Sequence, residues 1–246
     1  MAKIFFSCLS CFFFCGGMAM AAENNFEIDK IKTAQGDLVI TCIGHGTLML
    51  SFGGKIIHVD PVLQYADYTK LPKADLILIT HEHPDHLDLK AIDTLKTGKT
   101  SIMTTENIAR QLPGSIVLKN GDEKTLMGLK IEAVPAYNLV NMRSPGVPYH
   151  AKGIGNGYIV TLSDKRLYVA GDTENIPEMK NLRNIDIAFL PMNLPYTMTP
   201  EMVADAARAF RPKIIYPYHY GKTDVSKLID LLKNEKNIEV RVRKMM

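Results

Sequence analysis

The chain has 246 residues, of which 46% are hydrophobic and 22% are charged. This balance is typical of a globular protein with a sizeable core, and it excludes collagen, coiled-coil and disordered chains. The net charge of +3 comes from 29 basic and 26 acidic side chains spread along the chain, so no nucleic-acid-binding surface is predicted.

The first 22 residues have the pattern of a secretory signal peptide. Lys3 precedes a short apolar run, and small residues ending at Ala21-Ala22 form a cleavage site. The run is shorter than the roughly 20 residues that a membrane-spanning helix needs, so no membrane span is expected after cleavage. We therefore expect an exported protein, periplasmic or secreted, whose hydrolase-type domain covers residues 23–246. A lipoprotein anchor at Cys15 is the alternative.

Short strand-like runs dominate the rest of the chain. Gly44-His45-Gly46 and Gly53-Gly54 separate the first three runs, as hairpins require. Residues 75–80 are apolar enough to form a strand buried on both faces, and Cys42 is expected to be a buried core residue. Strands are predicted at 38–43, 47–52, 55–59, 75–80, 101–103, 115–118, 129–134, 157–162, 166–170, 186–190, 213–217 and 238–242. Helices are predicted at 87–96, 200–210 and 225–232. Together they indicate one domain with two sheets and outer helices.

Three of the seven histidines lie within six residues, in the segment His81-Glu82-His83-Pro84-Asp85-His86. Pro84 is incompatible with a regular helix, which excludes the helical H-E-x-x-H zinc motif. In an extended segment His81 and His83 face one side, while Asp85 and His86 turn toward a neighbouring position. Imidazole and carboxylate groups in this arrangement are ligand types that suit zinc or iron. The segment therefore predicts a metal site at the end of a buried strand.

The spacing His81-x-His83-x-Asp85-His86 after an apolar strand resembles the signature of the metallo-β-lactamase fold. Further similarity lies at Asp60-Pro61, at Ala170-Gly171-Asp172-Thr173 and at Tyr216-Pro217-Tyr218-His219-Tyr220. The resemblance implies an α/β (α+β) fold, a four-layer αββα sandwich with two metals at one edge of its sheets. Within this superfamily the chain is most similar to the branch of L-ascorbate-6-phosphate lactonase.

The resemblance also implies a set of ligands for two metals. They are His81 and His83 for the first metal, Asp85, His86 and His219 for the second, and Asp172 as the carboxylate that bridges both. Many members carry a third histidine for the first metal where this chain has Asn138. We assign this ligand to His150, with Asn138 or an incomplete first site as the alternatives. Asp60 resembles a buried acid that orients ligands by hydrogen bonding.

These ligands imply a metal-dependent hydrolase with two divalent cations, zinc in first place and manganese or iron as alternatives. A metal-bound hydroxide would cleave an ester, lactone or phosphodiester bond of a small-molecule substrate. Asp85 would relay a proton, and His45 would contact the substrate at the pocket mouth or form part of a turn. One of three tyrosines would donate to the developing oxyanion, namely Tyr196, Tyr218 or Tyr220. A sulfur dioxygenase-like iron oxidoreductase and a non-catalytic metal-binding protein are the alternative functions. The sequence does not indicate an oligomeric state.

Overall fold

The computed structural model describes residues 25–246, so the predicted signal peptide and Cys15 lie outside the described residues. Two large sheets contain most of the strands. Those of the first half are β1 (Glu27–Thr33), β2 (Gly36–Gly44), β3 (Thr47–Phe52), β4 (Lys55–Val59), β5 (Leu76–Leu78), β6 (Ser101–Thr104) and β7 (Ile116–Val117). Those of the second half are β8 (Glu123–Leu126), β9 (Leu129–Ala136), β10 (Met142–Ser144), β11 (Val147–Pro148), β12 (Gly155–Leu162), β13 (Lys165–Val169), β14 (Ile187–Pro191), β15 (Ile214–Tyr218) and β16 (Glu239–Val240).

Short helices connect or cover the strands. The α-helices are α1 (Leu89–Leu95), α2 (Glu106–Ala109), α3 (Pro200–Phe210) and α4 (Ser226–Leu232), and 3-10 turns lie at Tyr68–Lys70 and Pro177–Asn181. Helix α3 begins where the sequence predicts, because the Thr199 hydroxyl accepts a hydrogen bond from the Met202 N–H. No helix within residues 25–246 has the length and apolar character that a bilayer crossing needs.

Both sheets contain antiparallel strands followed by parallel ones. The first has the order β1-β2-β3-β4-β5-β6-β7, and the second has the order β16-β15-β14-β13-β12-β9-β8. Strands β4 to β7 are parallel to one another, and so are β13 to β16. Strands β10 and β11 form a separate hairpin. This arrangement matters for the site, because parallel strands place their carboxyl ends at the same edge of a sheet.

The two sheets face each other across one hydrophobic core. Leu76 and Leu78 of β5 belong to it, together with Val160 and Leu167 of the second sheet. Ile77, on the opposite face of β5, is buried in a second cluster with Ile92 of α1. On the other side of the molecule, Phe210 of α3 packs edge-on against Tyr168 of β13, with ring centroids 6.0 Å apart. The predicted αββα sandwich is therefore confirmed.

The structure differs from the predicted elements mainly at short or polar segments. The strand expected at 75–80 is limited to Leu76–Leu78, since the Thr80 N–H donates to Asp60 Oδ1 instead of to a neighbouring strand. Strand β1 was not predicted, because every second residue of this edge strand is exposed and several are charged. Helix α2, strand β8 and the β10-β11 hairpin were also not predicted from the sequence. Cys42 is buried, as expected.

Candidate metal centre

The site lies where the carboxyl ends of parallel strands from both sheets meet. His81 follows β5 of the first sheet, and Asp60 follows β4 next to it. From the second sheet, Asp172 follows β13 and His219 follows β15. The edge that the topology predicts for ligand binding therefore carries imidazole and carboxylate groups from both halves of the chain.

A first group of potential ligands consists of His81, His83, His150 and Asp172, each with a ligand atom within 4.8 Å of the others. His83 Nδ1 lies 3.2 Å from both His81 Nε2 and His150 Nε2. His150 Nε2 lies 3.3 Å from Asp172 Oδ2. Three imidazole nitrogens and one carboxylate oxygen form a donor set that suits a four-coordinate divalent cation.

A second group consists of His45, Asp85, His86 and His219, again with ligand atoms within 4.8 Å of one another. His219 Nε2 lies 3.4 Å from Asp85 Oδ2 and also 3.4 Å from Asp172 Oδ2. His86 Nε2 lies 3.4 Å from Asp172 Oδ1. The Asp172 carboxylate therefore lies between the two groups and faces ring nitrogens of both.

His45 lies deeper in the site than the sequence indicates. Its Nε2 is 3.1 Å from Asp85 Oδ2, and its ring centroid is 3.7 Å from that of His219. The backbone carbonyl of His45 also accepts a hydrogen bond of 3.0 Å from the His219 N–H. Both residues have positive φ, 51° for His45 and 47° for His219. Such backbone conformations are uncommon outside glycine, so the turns that place these two rings are specialised.

Asp60 orients one histidine in each group. Its fully buried carboxylate accepts hydrogen bonds from His86 Nδ1 (2.8 Å) and from the Thr80 hydroxyl (2.6 Å). The Thr80 oxygen lies 3.0 Å from His81 Nδ1 and can accept its proton. When Nδ1 carries the proton, Nε2 keeps the lone pair that binds a metal. Asp60 thus directs His86 and, through Thr80, His81 toward Asp172.

His150 reaches the first group on a long loop that contains the β10-β11 hairpin. Asn138 Oδ1 accepts hydrogen bonds from His150 Nδ1 (2.7 Å) and from the His150 N–H (2.8 Å). Asn138 Nδ2 in turn donates to Glu174 Oε1 at 3.1 Å. The Glu174 side chain also accepts three backbone N–H groups from residues 139–141. Asn138 therefore lies behind His150 as its hydrogen-bond partner, and the ring of His150 faces the other members of the first group.

The residues present fit bound cations. Within residues 25–246, several buried side-chain atoms of the two groups have no hydrogen-bond partner, namely His86 Nε2, His219 Nε2 and Asp172 Oδ1. Burial of such atoms is unfavourable unless a cation or another partner binds them. Burial and the neighbouring His86 lower the pKa of His81 well below its ordinary value. Burial raises the pKa of Asp172, but His219 and His86 outweigh it and lower that pKa well below the ordinary range. The neutral imidazole of His81 and the ionised carboxylate of Asp172 are the forms that bind metals. Burial lowers the pKa of His86, but the carboxylates of Asp172, Asp60 and Asp85 outweigh it and raise that pKa to about 9, so a cation at His86 Nε2 would have to displace a proton.

Because Gly46 has no side chain, the His86 ring can pack directly against its backbone. A Cβ atom at this position would lie 2.6 Å from His86 Cε1 and 3.0 Å from His86 Nδ1. These distances are shorter than van der Waals contact, so a larger residue would displace the ring. The glycine that the sequence assigns to a hairpin therefore also has a role in the packing of the second group.

Two cavities open over the centre. The larger, about 520 Å³, is lined by residues of both groups and by Tyr196. The smaller, about 240 Å³, lies beside the first group. Tyr218 and Tyr220 line neither, since Tyr218 is fully buried and the Tyr220 hydroxyl donates to the Arg243 carbonyl at 2.8 Å. Of the three tyrosines considered from the sequence, Tyr196 is the one that lines a cavity over the centre.

Four residues at this site carry no recognisable sequence signal. Arg143 and Tyr149 line both cavities, and Asn193 lines the larger one. Glu174 is buried behind Asn138. Arg143 and Tyr149 lie in or beside a hairpin that was not predicted, and Glu174 follows the Asp172 motif without belonging to a known pattern.

Comparisons with known proteins agree with this architecture. The family model described as "Beta-lactamase superfamily domain" matches residues 39–219. A UPF0173 metal-dependent hydrolase of Thermococcus onnurineus is 32% identical, over 73% of this chain and 83% of its own length. A crystal structure of a candidate metal-dependent hydrolase from Parabacteroides distasonis ATCC 8503 is 54% identical, covers 90% of this chain and 100% of that chain, and has a TM-score of 0.86. A metallo hydrolase from Ignicoccus hospitalis is 26% identical, with 85% and 95% coverage and a TM-score of 0.71.

Proposed function

Because this chain belongs to the beta-lactamase superfamily and to its metal-dependent hydrolases, we propose that it cleaves an ester, lactone or phosphodiester bond at a two-cation centre. The proposed ligands are His81, His83 and His150 for the first cation, Asp85, His86 and His219 for the second, and Asp172 for both. Zinc is the proposed metal, since imidazole and carboxylate ligands in a compact buried site suit it well.

One observation carries the proposal, namely the position of Asp172 between the two groups. Its carboxylate lies 3.3 Å from His150 Nε2 on one side and 3.4 Å from His86 Nε2 and His219 Nε2 on the other. The residue is only 4% exposed, so its charge is not offset by water. A buried carboxylate with ring nitrogens on both sides supports the proposal that Asp172 is a ligand shared by two cations. Paired cations in catalytic sites lie about 3.5–4 Å apart.

Cations bound here would polarise a carbonyl or phosphoryl oxygen and lower the pKa of a water molecule, so hydrolysis would need no nucleophilic side chain. The chain's own residues would position and protonate the reacting groups. The Asp85 side chain is 41% exposed and lines the larger cavity, where it can pass a proton to a leaving group. His45 holds Asp85 through the 3.1 Å contact. Tyr196 lines the same cavity, and its hydroxyl can donate to a developing oxyanion.

Metal analysis of Asp172 variants tests the function. We expect the purified protein to contain close to two transition-metal ions per chain and to hydrolyse at least one of a panel of lactones, esters and phosphodiesters. A chelator should abolish that hydrolysis, and Asp172→Ala should lower both metal content and turnover. Asp164→Ala is the matched control, because Asp164 lies in an exposed turn. Full metal content and turnover in Asp172→Ala, or a wild-type protein without metal, would contradict the proposal.

We further propose that the protein is exported, on the basis of the sequence pattern of residues 1–22. Expression of the full-length gene in a bacterium with a secretion system should yield a mature chain that begins after Ala21 or Ala22. Mass spectrometry of the intact secreted protein measures this directly. A chain that keeps Met1 to Ala22 and stays in the cytoplasm would refute export without affecting the proposed chemistry.

A further inference from the structure

The β10-β11 hairpin places the positively charged side chain of Arg143 at the mouth of the metal centre. Arg143 lines both cavities described above, together with Tyr149 and His150. Its guanidinium carbon lies 5.8 Å from the centroid of the Tyr149 ring. An arginine stacked on an aromatic face keeps its N–H groups free to bind a planar anion.

The position of Arg143 is coupled to that of the ligands. Its aromatic support, Tyr149, directly precedes His150, which Asn138 holds through two hydrogen bonds. The Tyr149 ring also meets the Tyr196 ring edge-on, with centroids 5.0 Å apart. One contiguous wall of the larger cavity is therefore formed by the guanidinium of Arg143, the rings of Tyr149 and Tyr196, and the proposed metal ligand His150.

The charge of Arg143 has no counter-charge in the described part of the chain. No carboxylate of residues 25–246 lies within ion-pairing distance of its guanidinium, although Glu82 also lines the smaller cavity. Lys152, on the same loop, differs in both respects. Its ammonium lies 2.8 Å from Glu178, and it lines neither cavity. Arg143 is thus the one lysine or arginine among the lining residues of the two cavities.

We propose that Arg143 binds an anionic group of the substrate, a carboxylate or a phosphate, while the scissile bond lies over Asp172. The proposal rests on the hydrolase function proposed above and specifies its substrate class. A guanidinium can donate two parallel N–H bonds to either anion, and such charge-assisted pairs are about twice as strong as neutral ones. Arg143 is exposed and hydrated, so a neutral substrate would gain no ion pair from it, and the subsite favours anionic substrates through this additional bond.

Three metal-chelating probes of equal chain length test the subsite without turnover. They are pentanohydroxamic acid, glutaric acid monohydroxamate and 4-phosphonobutanohydroxamic acid, which end in a methyl, a carboxylate and a phosphonate group. Calorimetric titration of the zinc-loaded full chain should show that at least one anionic probe binds about 10-fold to 100-fold more tightly than the neutral probe. The stronger of the two anionic probes identifies the substrate's charged group.

Variants assign the preference to Arg143. We expect Arg143→Ala to remove the difference between anionic and neutral probes, and Arg143→Lys to restore part of it as a single-point cation. Lys152→Ala, the matched control on the same loop, should keep the wild-type preference. Equal affinity of all probes for the wild-type protein, no binding of any probe, or an unchanged preference in Arg143→Ala would overturn the proposal.

Hydrolysis of two matched esters separates this proposal from the proposed function. In the wild-type protein, mono-p-nitrophenyl glutarate should have a higher kcat/KM than p-nitrophenyl pentanoate, and Arg143→Ala should reduce the first at least 10-fold more than the second. Hydrolysis of both esters without any dependence on Arg143 would refute the subsite alone. An Arg143-dependent preference among the hydroxamates in a protein that hydrolyses no substrate would refute the hydrolase alone.

Discussion

Replacement of Glu174 by glutamine tests how the chain delivers His150 to the metal centre. The Glu174 carboxylate is 1% exposed and accepts four N–H groups. Oε2 accepts those of Leu139 and Val140, both at 2.8 Å. Oε1 accepts that of Asn141 at 2.7 Å and the Asn138 side-chain amide at 3.1 Å.

Glutamine keeps one of these two acceptor oxygens and replaces the other with an N–H donor. Whichever way the amide is turned, two N–H groups in this partly buried network lose their acceptor and face another donor. A fully buried unsatisfied donor costs about 1–3 kcal/mol, and these donors are partly buried, so the free energy of unfolding should fall by about 1–3 kcal/mol in total. Because the same carboxylate holds Asn138 and thereby His150, the first metal site should also lose affinity.

Urea denaturation of chelator-treated protein measures the loss of stability without a contribution from bound metal. Metal content per chain, measured in parallel, should fall from close to two toward one. Glu178→Gln is the matched control, four residues along the chain. Glu178 is 34% exposed and pairs with Lys152, so its loss should cost less than about 1 kcal/mol and leave the metal content unchanged. A Glu174→Gln protein as stable as this control would refute the reasoning.

Two further substitutions test how the second group is held. Gly46→Ala would place a Cβ atom 2.6 Å from His86 Cε1 and displace the ring, so metal affinity in competition with a chelator should fall at least 10-fold. Gly98→Ala, in open space, is its control, and equal affinities in the two variants would contradict the predicted clash. Asp60→Asn removes the charged acceptor of His86 and Thr80, so metal affinity should fall about 10-fold to 100-fold. A wild-type affinity in that variant would show that Asp60 does not orient the ligands.

Local sequence patterns were sufficient to predict many of the strands and the early cluster of potential ligands. Residues 47–52, 55–59 and 200–210 form the expected elements with the expected bounds, because hairpin glycines and a threonine cap mark their ends within a few residues. The segment from His81 to His86 could be interpreted without knowledge of distant contacts, since Pro84 and the spacing of the side chains restrict its conformation. The positions of Asp172 and His219 followed from the family resemblance.

Tertiary packing decided the parts of the site that depend on long loops. His150 lies 67 residues after His83, and its approach to 3.2 Å depends on hydrogen bonds to Asn138 and Glu174 that no local pattern signals. His45 lies 40 residues before Asp85 in the chain, and a turn with positive φ at His45 brings the two side chains into contact. Arg143 lines both cavities because its hairpin folds over the candidate metal centre. Periodicity and motif spacing report on neighbours along the chain, whereas these contacts form only once both sheets have packed around a common core.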